Sequence, residues 1–141
     1  MRIISGFLKG KKLDFLKSST TRPIRDFVKE NIFNIINHSN LIHIKLKNAN
    51  ILDLYSGIGS FGIECISQGA SRSTFVENDS KALSVLKKNL NNLKIESQSI
   101  VFNEKIISFF LLFFSGSAFS FKDFTFFLVA LPFLLMTLLF L

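Results

Sequence analysis

One segment constrains the fold of this 141-residue chain more than any other. Residues 51–62 read ILDLYSGIGSFG, a short apolar run that carries Asp53 and is followed by glycines at positions 57, 59 and 62. This pattern is typical of a buried strand that enters a tight turn and then a helix. Glycine adopts positive φ and has no Cβ, so the backbone of such a turn comes close to a ligand. The segment therefore predicts an α/β fold that binds a nucleotide-like ligand.

The periodicity of apolar residues predicts two further strand and helix units. After the strand at 51–54 we expect helices at 60–68 and 80–93 and strands at 73–76 and 99–102. Upstream, residues 2–15 predict a small hairpin and residues 25–36 an amphipathic helix. The apolar stripe of that helix is predicted from Val28, Ile32, Ile35 and Ile36. The order βαβαβ implies a parallel sheet with right-handed connections.

Positive charge is concentrated in the first third of the chain. Residues 1–48 contain ten Lys or Arg and three acids, a net charge of +7, whereas the remainder holds seven of each and is neutral. Such a surface suits a phosphate-rich partner, although a solvated polar face is an equal alternative from charge alone. The candidate RNA-binding residues are Arg2, Lys9, Lys11, Lys12, Arg22 and Arg25.

The chain offers few residues for metal binding or nucleophilic catalysis. Its single Cys65 has no CxxC partner, which favours a core position and an intracellular, reducing environment. His38 and His43 stand alone beside apolar neighbours, so we predict no metal site. Asp79 is expected to cap the helix at 80–93, and Lys87 and Lys88 are expected on its solvated face.

Two acids bear on the identity of the nucleotide-like ligand. Glu77 directly follows the strand at 73–76, where a carboxylate accepts hydrogen bonds from ribose hydroxyls. The glycines also satisfy GxGxxG, so an NAD(P)-dependent oxidoreductase remains an alternative. Asp53, however, would repel a pyrophosphate and suits a cationic sulfonium, which favours S-adenosylmethionine. The backbone of Tyr55 and Ser56 is expected to approach this cofactor.

Four motifs in order carry a resemblance to a known family. They are RIISGFLKGKKL at the start, TRPIRDFVKENIFNII, DLYSGIGSFGIECISQGA and FVENDSKALSVLKKNL. Over residues 2–110 the chain resembles the RsmD-type methyltransferases, which methylate the N2 atom of a guanine in bacterial small-subunit rRNA. The resemblance implies a Rossmann-like class I methyltransferase fold, here incomplete, with a basic N-terminal hairpin and helix. It implies cofactor contacts at Asp53, Gly57, Gly59 and Glu77, and at Asn103 or Glu104 beside the adenine. Tyr55 and Ser56 complete the set of candidate cofactor residues because of their position in the turn.

The resemblance stops short of the catalytic motif. These enzymes carry DPPY or DPPF after the fourth strand, where a carboxylate and a backbone carbonyl hold the guanine amino group and the aromatic ring stacks on the base. The nearest match in this chain is residues 130–133, ALPF, which lacks the acid and one proline. No catalytic residue is assigned, and we expect the chain to have little or no activity by itself.

The region from residue 106 onward differs in composition from the rest. Its 36 residues contain eleven of the 18 phenylalanines and two charges, Lys122 and Asp123. Three interpretations remain open: translation from a wrong frame or gene decay, a membrane segment at Phe124 to Leu141, and a divergent buried strand and helix. As a helix that segment would span about 27 Å. The membrane interpretation carries a further alternative function, a non-enzymatic, membrane-tethered RNA-binding protein.

The sequence thus predicts three regions. Residues 1–48 form a basic RNA-binding extension, residues 49–105 an S-adenosylmethionine-binding half-domain, and residues 106–141 a hydrophobic tail. The expected partner is small-subunit rRNA or the assembling small subunit. The expected location is the cytoplasm, with membrane association possible only through the tail.

Overall fold

A computed structural model of the chain describes residues 1–16, 26–38 and 45–109, and the backbone of residues 126–129. These residues form three α-helices, one 3₁₀ turn and four strands. In chain order they are α1 (Asp26–His38), β1 (Asn50–Leu54), α2 (Ser60–Ser67), β2 (Arg72–Glu77), α3 (Ser80–Leu93), the 3₁₀ turn Glu96–Gln98, β3 (Ser99–Asn103) and β4 (Phe126–Val129).

The four strands form one parallel sheet in the order β3-β2-β1-β4. The predicted βαβαβ arrangement is confirmed, since β1, β2 and β3 alternate with α2 and α3. Ligands of such sheets bind at the carboxyl ends of the strands. In this sheet that edge is marked by the residues that follow Leu54 and Val76.

The fourth strand comes from the hydrophobic tail. Phe126–Val129 pairs in parallel with β1, so that Ile51 is opposite Phe126 and Leu54 is opposite Val129. β1 consequently lies between β2 and β4 in the interior of the sheet, where its apolar side chains are fully covered. The three interpretations of the tail remain predictions, and apart from residues 106–109 the rest of it lies outside the described residues.

Helices α2 and α3 begin and end at the predicted signals. The Asp79 side chain accepts a hydrogen bond from the Ala82 N–H at 2.7 Å, which confirms the predicted N-cap of α3. Leu83, Leu86 and Leu90 are buried as one stripe against the sheet. α2 is followed by Gly69, whose φ of 102° permits the reversal of the chain into β2.

The prediction for the buried face of α1 was correct only in part, since Ile36 is buried as predicted. Lys29, Phe33 and Ile36 are the buried residues of this helix, whereas Val28 and Ile35 are 37 % and 54 % exposed. The inward face is rotated relative to the predicted apolar stripe. The physical reason is that a buried ion pair at Lys29 fixes the orientation of the helix, which periodicity of apolar residues alone does not reveal.

Residues 1–16, here called the N-terminal segment, turn back on themselves and pack into the core. The predicted hairpin is reduced to one antiparallel bridge between Arg2 and Lys12. Ile3, Leu8 and Leu13 are buried in the same cluster as the apolar residues of α2 and α3. The division of the chain at residue 48 remains a prediction, but this segment shares a core with the Rossmann-like half.

A buried ion pair joins α1, α2 and the N-terminal segment. Lys29 Nζ lies 3.1 Å from Glu64 Oε2, and both side chains are fully buried. The Glu64 carboxylate also accepts hydrogen bonds from the backbone N–H groups of Ile4 and Ser5, at 2.9 and 2.8 Å. Lys29 Nζ donates to the carbonyl of Arg2 at 2.9 Å. Each charge therefore has partners from two distant parts of the chain.

The opposite face of the sheet is covered by residues that follow β3. Phe109 is buried with Leu52, Leu54 and Val76, and residues 106–109 form a helical turn. The rings of Phe102 and Phe109 meet edge to face with centroids 5.3 Å apart. In the described part of the chain, no helix has the length and apolar character needed to cross a bilayer.

The ion pair leads to a prediction about stability. Lys29→Met leaves the Glu64 carboxylate buried without its counter-ion, so we expect a loss of about 3–5 kcal/mol in the free energy of unfolding. Urea denaturation followed by circular dichroism measures this loss.

The matched control is Lys88→Met, which breaks the exposed pair between Lys88 and Asp14. An exposed pair is worth less than about 1 kcal/mol. Equal, small losses in the two variants would contradict a central role for the buried pair.

Candidate cofactor-binding site

The candidate site is the turn between β1 and α2 at the carboxyl edge of the sheet. Tyr55, Gly57 and Gly59 have φ values of 56°, 55° and 82°, all in the left-handed region. The turn is closed by a hydrogen bond from Gly59 N–H to the Ser56 carbonyl at 2.8 Å. Ser56 N–H also donates to the Val76 carbonyl at 3.2 Å, which fixes the turn against the end of β2.

The two glycines of the turn, Gly57 and Gly59, and Gly62 in the first turn of α2 serve two different purposes. A Cβ at Gly59 would lie 2.3 Å from Leu86 Cδ1, and a Cβ at Gly62 would lie 2.3 Å from Phe75 Cε1. These two glycines are therefore required for close packing of α2 against α3 and β2. At Gly57 a Cβ would meet nothing within 4 Å. Gly57 thus faces open space, and its backbone is the part of the turn that a ligand can approach.

Asp53 lies beneath the turn and holds the start of α2. Its side chain is buried, and Oδ2 accepts a hydrogen bond from the Gly62 N–H at 3.0 Å. Burial raises the pKa of Asp53 to about 7, and the charge of Glu77 adds to this rise while the hydrogen bond from Gly62 opposes it. The Asp53 carboxylate therefore stabilises the backbone at the start of α2, directly after the turn.

Glu77 holds the same turn from the side. Its Oε2 accepts a hydrogen bond from the Gly57 N–H at 2.7 Å, and Oε1 accepts from the N–H groups of Asn78 and Asp79 at 2.8 and 2.9 Å. A carboxylate has about four acceptor positions, so these three bonds leave capacity for a further donor. Glu77 thus connects the glycine turn to the end of β2 and retains the ability to accept a hydroxyl group.

The remaining predicted cofactor residues lie at the same edge. Asn103 is exposed at the end of β3, opposite Glu77 in the strand register, and Glu104 N–H donates to the Glu77 carbonyl at 3.2 Å. Tyr55 is 60 % exposed. The Ser56 hydroxyl is buried and has no hydrogen-bond partner among the described residues. The structure therefore brings together all seven residues predicted to contact a cofactor.

Four of the six predicted RNA-binding residues are described, and all four are exposed on the N-terminal segment. They are Arg2, Lys9, Lys11 and Lys12. Arg2 also lies 3.5 Å from Asp26 in an exposed ion pair. Arg22 and Arg25 lie outside the described residues, as does His43.

Asn89 is a residue of this region that the sequence patterns did not single out. It is buried, and its amide nitrogen donates to the carbonyls of Asp14 and Ile58 at 3.1 and 3.2 Å. Its Oδ1 accepts from the Asp14 N–H at 2.8 Å. The available signal was a polar residue on the leucine-striped face of α3. Asn89 connects the N-terminal segment to the middle of the glycine turn.

Other reactive groups do not extend the site. Cys65 is buried in α2, where burial raises the pKa of its thiol and keeps it protonated. His38 is exposed at the end of α1. Within residues 1–16, 26–38 and 45–109, no group of three His, Cys, Asp or Glu side chains is arranged to hold a metal ion.

The strand order, the glycine turn and the acid at the end of β2 together define a class of protein. A parallel sheet in the order β3-β2-β1-β4, with this turn after β1, is the Rossmann-like fold of the class I methyltransferases. The family described as Conserved hypothetical protein 95 matches residues 1–118. The chain belongs to this family, the RsmD-type methyltransferases.

Two individual relatives support membership of this family. The chain is 40 % identical over 110 residues to the Ribosomal RNA small subunit methyltransferase D of Haemophilus influenzae. The matched region covers 77 % of this chain and 54 % of that protein. It is 38 % identical over 102 residues to the putative rRNA methyltransferase YlbH of Bacillus subtilis, with 72 % and 52 % coverage. The chain thus spans about half the length of these curated relatives.

A solved structure gives the same result. The putative methyltransferase yhhF of Escherichia coli superposes with a TM-score of 0.65 at 32 % identity, over 77 % of this chain and 55 % of that one. The family match supports neither the oxidoreductase nor the membrane-tethered alternative.

The environment of Asp53 predicts a specific dependence of stability on pH. Its pKa rises from 3.8 in the unfolded chain to about 7 in the folded one, so the folded state binds more protons between these values. We expect the contribution of Asp53 to stability to fall with rising pH across this window, by about 1.4 kcal/mol per pH unit, and to be constant above it.

Asp53→Asn provides the measurement for this prediction. The difference in unfolding free energy between this variant and the original chain should grow in favour of the variant from pH 4 to pH 7. Denaturant titrations at several pH values measure it, with Glu96→Gln, in the exposed 3₁₀ turn, as control. A difference that does not change with pH would show that Asp53 titrates normally.

Proposed function

We propose that this chain binds S-adenosylmethionine at the glycine turn and forms the cofactor-binding half of an enzyme that methylates the N2 atom of a guanine in small-subunit rRNA. The single observation that carries the cofactor assignment is Glu77, which holds Gly57 N–H and still has acceptor capacity at an open face of the turn. Membership of the RsmD-type family supports the reaction, and the relatives named above include rRNA methyltransferases.

The residues present fit this cofactor. The open backbone face at Gly57 leaves room for the methionine portion, and the buried, unpartnered Ser56 hydroxyl is available to a polar group there. In this proposal Glu77 accepts the ribose hydroxyls, and the adenine is contacted by Asn103 or Glu104, which lie next to Glu77 at the end of β3. When bound, S-adenosylmethionine supplies an electrophilic methyl group on a sulfonium.

Asp53 contributes to binding indirectly in this proposal. Its carboxylate holds Gly62 N–H and thereby keeps the start of α2 in place under the turn. Its raised pKa means that the negative charge is only partly present at neutral pH. Asp53 therefore has two roles in this proposal. It attracts the sulfonium, as expected from the sequence, and it stabilises the backbone of the turn.

Four exposed cations of the N-terminal segment suit the rRNA backbone. Lys9, Lys11 and Lys12 are exposed, and Arg2 joins them through the bridge to Lys12. Lysine and arginine side chains bind phosphates and release counter-ions, which gives affinity that falls with salt. Arg22 and Arg25 remain proposed contacts.

Catalysis requires a group that accepts hydrogen bonds from the guanine amino group. β4 ends at Val129, opposite Leu54 at the carboxyl edge of the sheet. The sequence that follows, Ala130 to Phe133, has neither the acid nor the double proline of DPPY or DPPF. We therefore propose cofactor binding for this chain and assign no catalytic residue to it.

The cofactor assignment is tested by calorimetry with S-adenosylhomocysteine. Asp53→Ala should abolish measurable binding, because Gly62 N–H loses its acceptor and the turn loses its support. Glu77→Ala should weaken binding at least about tenfold, because each lost hydrogen bond to a charged group is worth about 1.5–3 kcal/mol.

Controls separate this outcome from general damage and from the oxidoreductase alternative. Glu96→Ala removes an exposed carboxylate from the 3₁₀ turn and should leave the affinity unchanged. S-adenosylmethionine should raise the thermal midpoint, whereas NAD and NADP should not. Unchanged calorimetric affinity in Asp53→Ala would refute the assignment.

A second prediction concerns turnover. With tritiated S-adenosylmethionine and small-subunit rRNA, the chain by itself should transfer little or no methyl group, because no carboxylate follows β4. Scintillation counting of the recovered RNA measures the transfer, with a full-length relative such as the Haemophilus influenzae protein as positive control. Robust incorporation by this chain would show that another residue performs the missing role.

A further inference from the structure

A groove of about 740 Å³ lies outside the cofactor site, between the N-terminal segment, the start of α1 and the outer face of α3. Among the described residues, three cations and two acids line it, together with one exposed aromatic ring. These residues are Arg2, Lys12, Lys88, Asp14, Asp26 and Phe15. Its volume is sufficient for a nucleotide.

Two of the cations are held at the groove by exposed ion pairs. Lys88 Nζ lies 2.8 Å from Asp14 Oδ2, and Arg2 Nε lies 3.5 Å from Asp26 Oδ2. The Lys88 and Arg2 side chains are 67 % and 70 % exposed. Pairs this exposed contribute less than about 1 kcal/mol, so each cation can transfer to a phosphate at low cost.

Phe15 adds an exposed aromatic ring to the groove, which binding of phosphates by charge alone does not require. Its ring is 47 % exposed next to these cations. Exposed aromatic rings beside basic side chains are platforms on which unpaired bases stack. In a duplex the bases already stack on one another, so this ring favours a single strand.

The groove is directly connected to the glycine turn. Asn89 is buried in α3 and hydrogen-bonds both to the backbone of Asp14, in the groove, and to the carbonyl of Ile58, in the turn. Helix α3, which forms one wall of the groove, therefore also fixes the turn between Gly57 and Gly59 through Asn89.

We propose that this groove binds a single-stranded segment of the RNA substrate, with phosphates on Arg2, Lys12 and Lys88 and one base stacked on Phe15. The inference rests on the proposed function for its choice of RNA. It adds Phe15 and Lys88 to the contact surface, and it specifies an unpaired rather than a duplex region.

The test is fluorescence anisotropy with a labelled single-stranded oligoribonucleotide and with a duplex of the same sequence. Phe15→Ala should weaken binding of the single strand about tenfold and leave duplex binding nearly unchanged. Phe15→Leu, which keeps an apolar side chain without the ring, should show the same selective loss. Phe7→Ala is the matched control, since Phe7 is 65 % exposed on the same segment but is not among the residues described as lining the groove.

The adjacent lysines supply a second matched pair. Lys88→Gln should weaken single-strand binding severalfold and reduce the slope of log affinity against log salt by about 0.7, the value for one lost phosphate contact. Lys87→Gln should change neither, because Lys87 lines a separate cavity of about 290 Å³ with Leu90 and Glu96. Circular dichroism of every variant shows whether it is folded.

The outcomes distinguish this inference from the proposed function. Three results would each overturn the proposal that the groove binds single-stranded RNA. They are equal effects of Phe15→Ala and Phe7→Ala, equal effects of the two lysine variants, and duplex binding as tight as single-strand binding. Calorimetry with S-adenosylhomocysteine should give the same affinity in all groove variants and in the original chain. Absence of that binding in the original chain would refute the cofactor assignment while leaving a positive groove result intact.

Discussion

The buried carboxylate of Glu64 is the interaction on which the rest of the structure depends. It has no solvent exposure, and it is held by Lys29 Nζ from α1 and by the backbone N–H groups of Ile4 and Ser5. Removing two charges from water costs several kcal/mol for each, so the pair is tolerated only when all of its partners are in place. Because Glu64 lies in α2, whose first turn carries Gly62, the same contacts that dock the N-terminal segment also determine where the glycine turn sits.

The glycine turn is fixed from two directions before any ligand arrives. Asp53 holds the Gly62 N–H from beneath, and Glu77 holds the Gly57 N–H from the side. Gly59 allows Leu86 to pack against the turn, while Gly57 leaves its outer face open. A turn that is already ordered loses little conformational entropy when it binds, which favours affinity. The two acids thus act mainly on the backbone of the turn, and only Glu77 has clear capacity to contact a ligand as well.

Local features of this fold could be predicted from the sequence, and long-range partners could not. The glycine turn, the Asp79 cap and the end of α2 before Gly69 depend on residues close in sequence, and each was predicted correctly. The buried Lys29 depends on Glu64 and Arg2, which are 35 and 27 positions away. The bridging Asn89 depends on two separate segments. Both are polar residues on buried faces, which hydrophobic periodicity treats as errors in the pattern. The inward face of α1 was misassigned in part for the same reason.

The position of β4 has a consequence for how the chain is made. β1 lies between β2 and β4, so its second edge is paired only when residues 126–129 have left the ribosome. A nascent chain that ends after β3 already contains Asp53, Gly57 and Glu77, yet one edge of its buried strand β1 has a row of unpaired backbone groups. Such an edge is a template for pairing with another chain. Translation as far as Val129 therefore separates a sheet in which both edges of β1 are paired from one in which an edge of β1 is open to aggregation, even though every residue assigned to the cofactor has by then been synthesised.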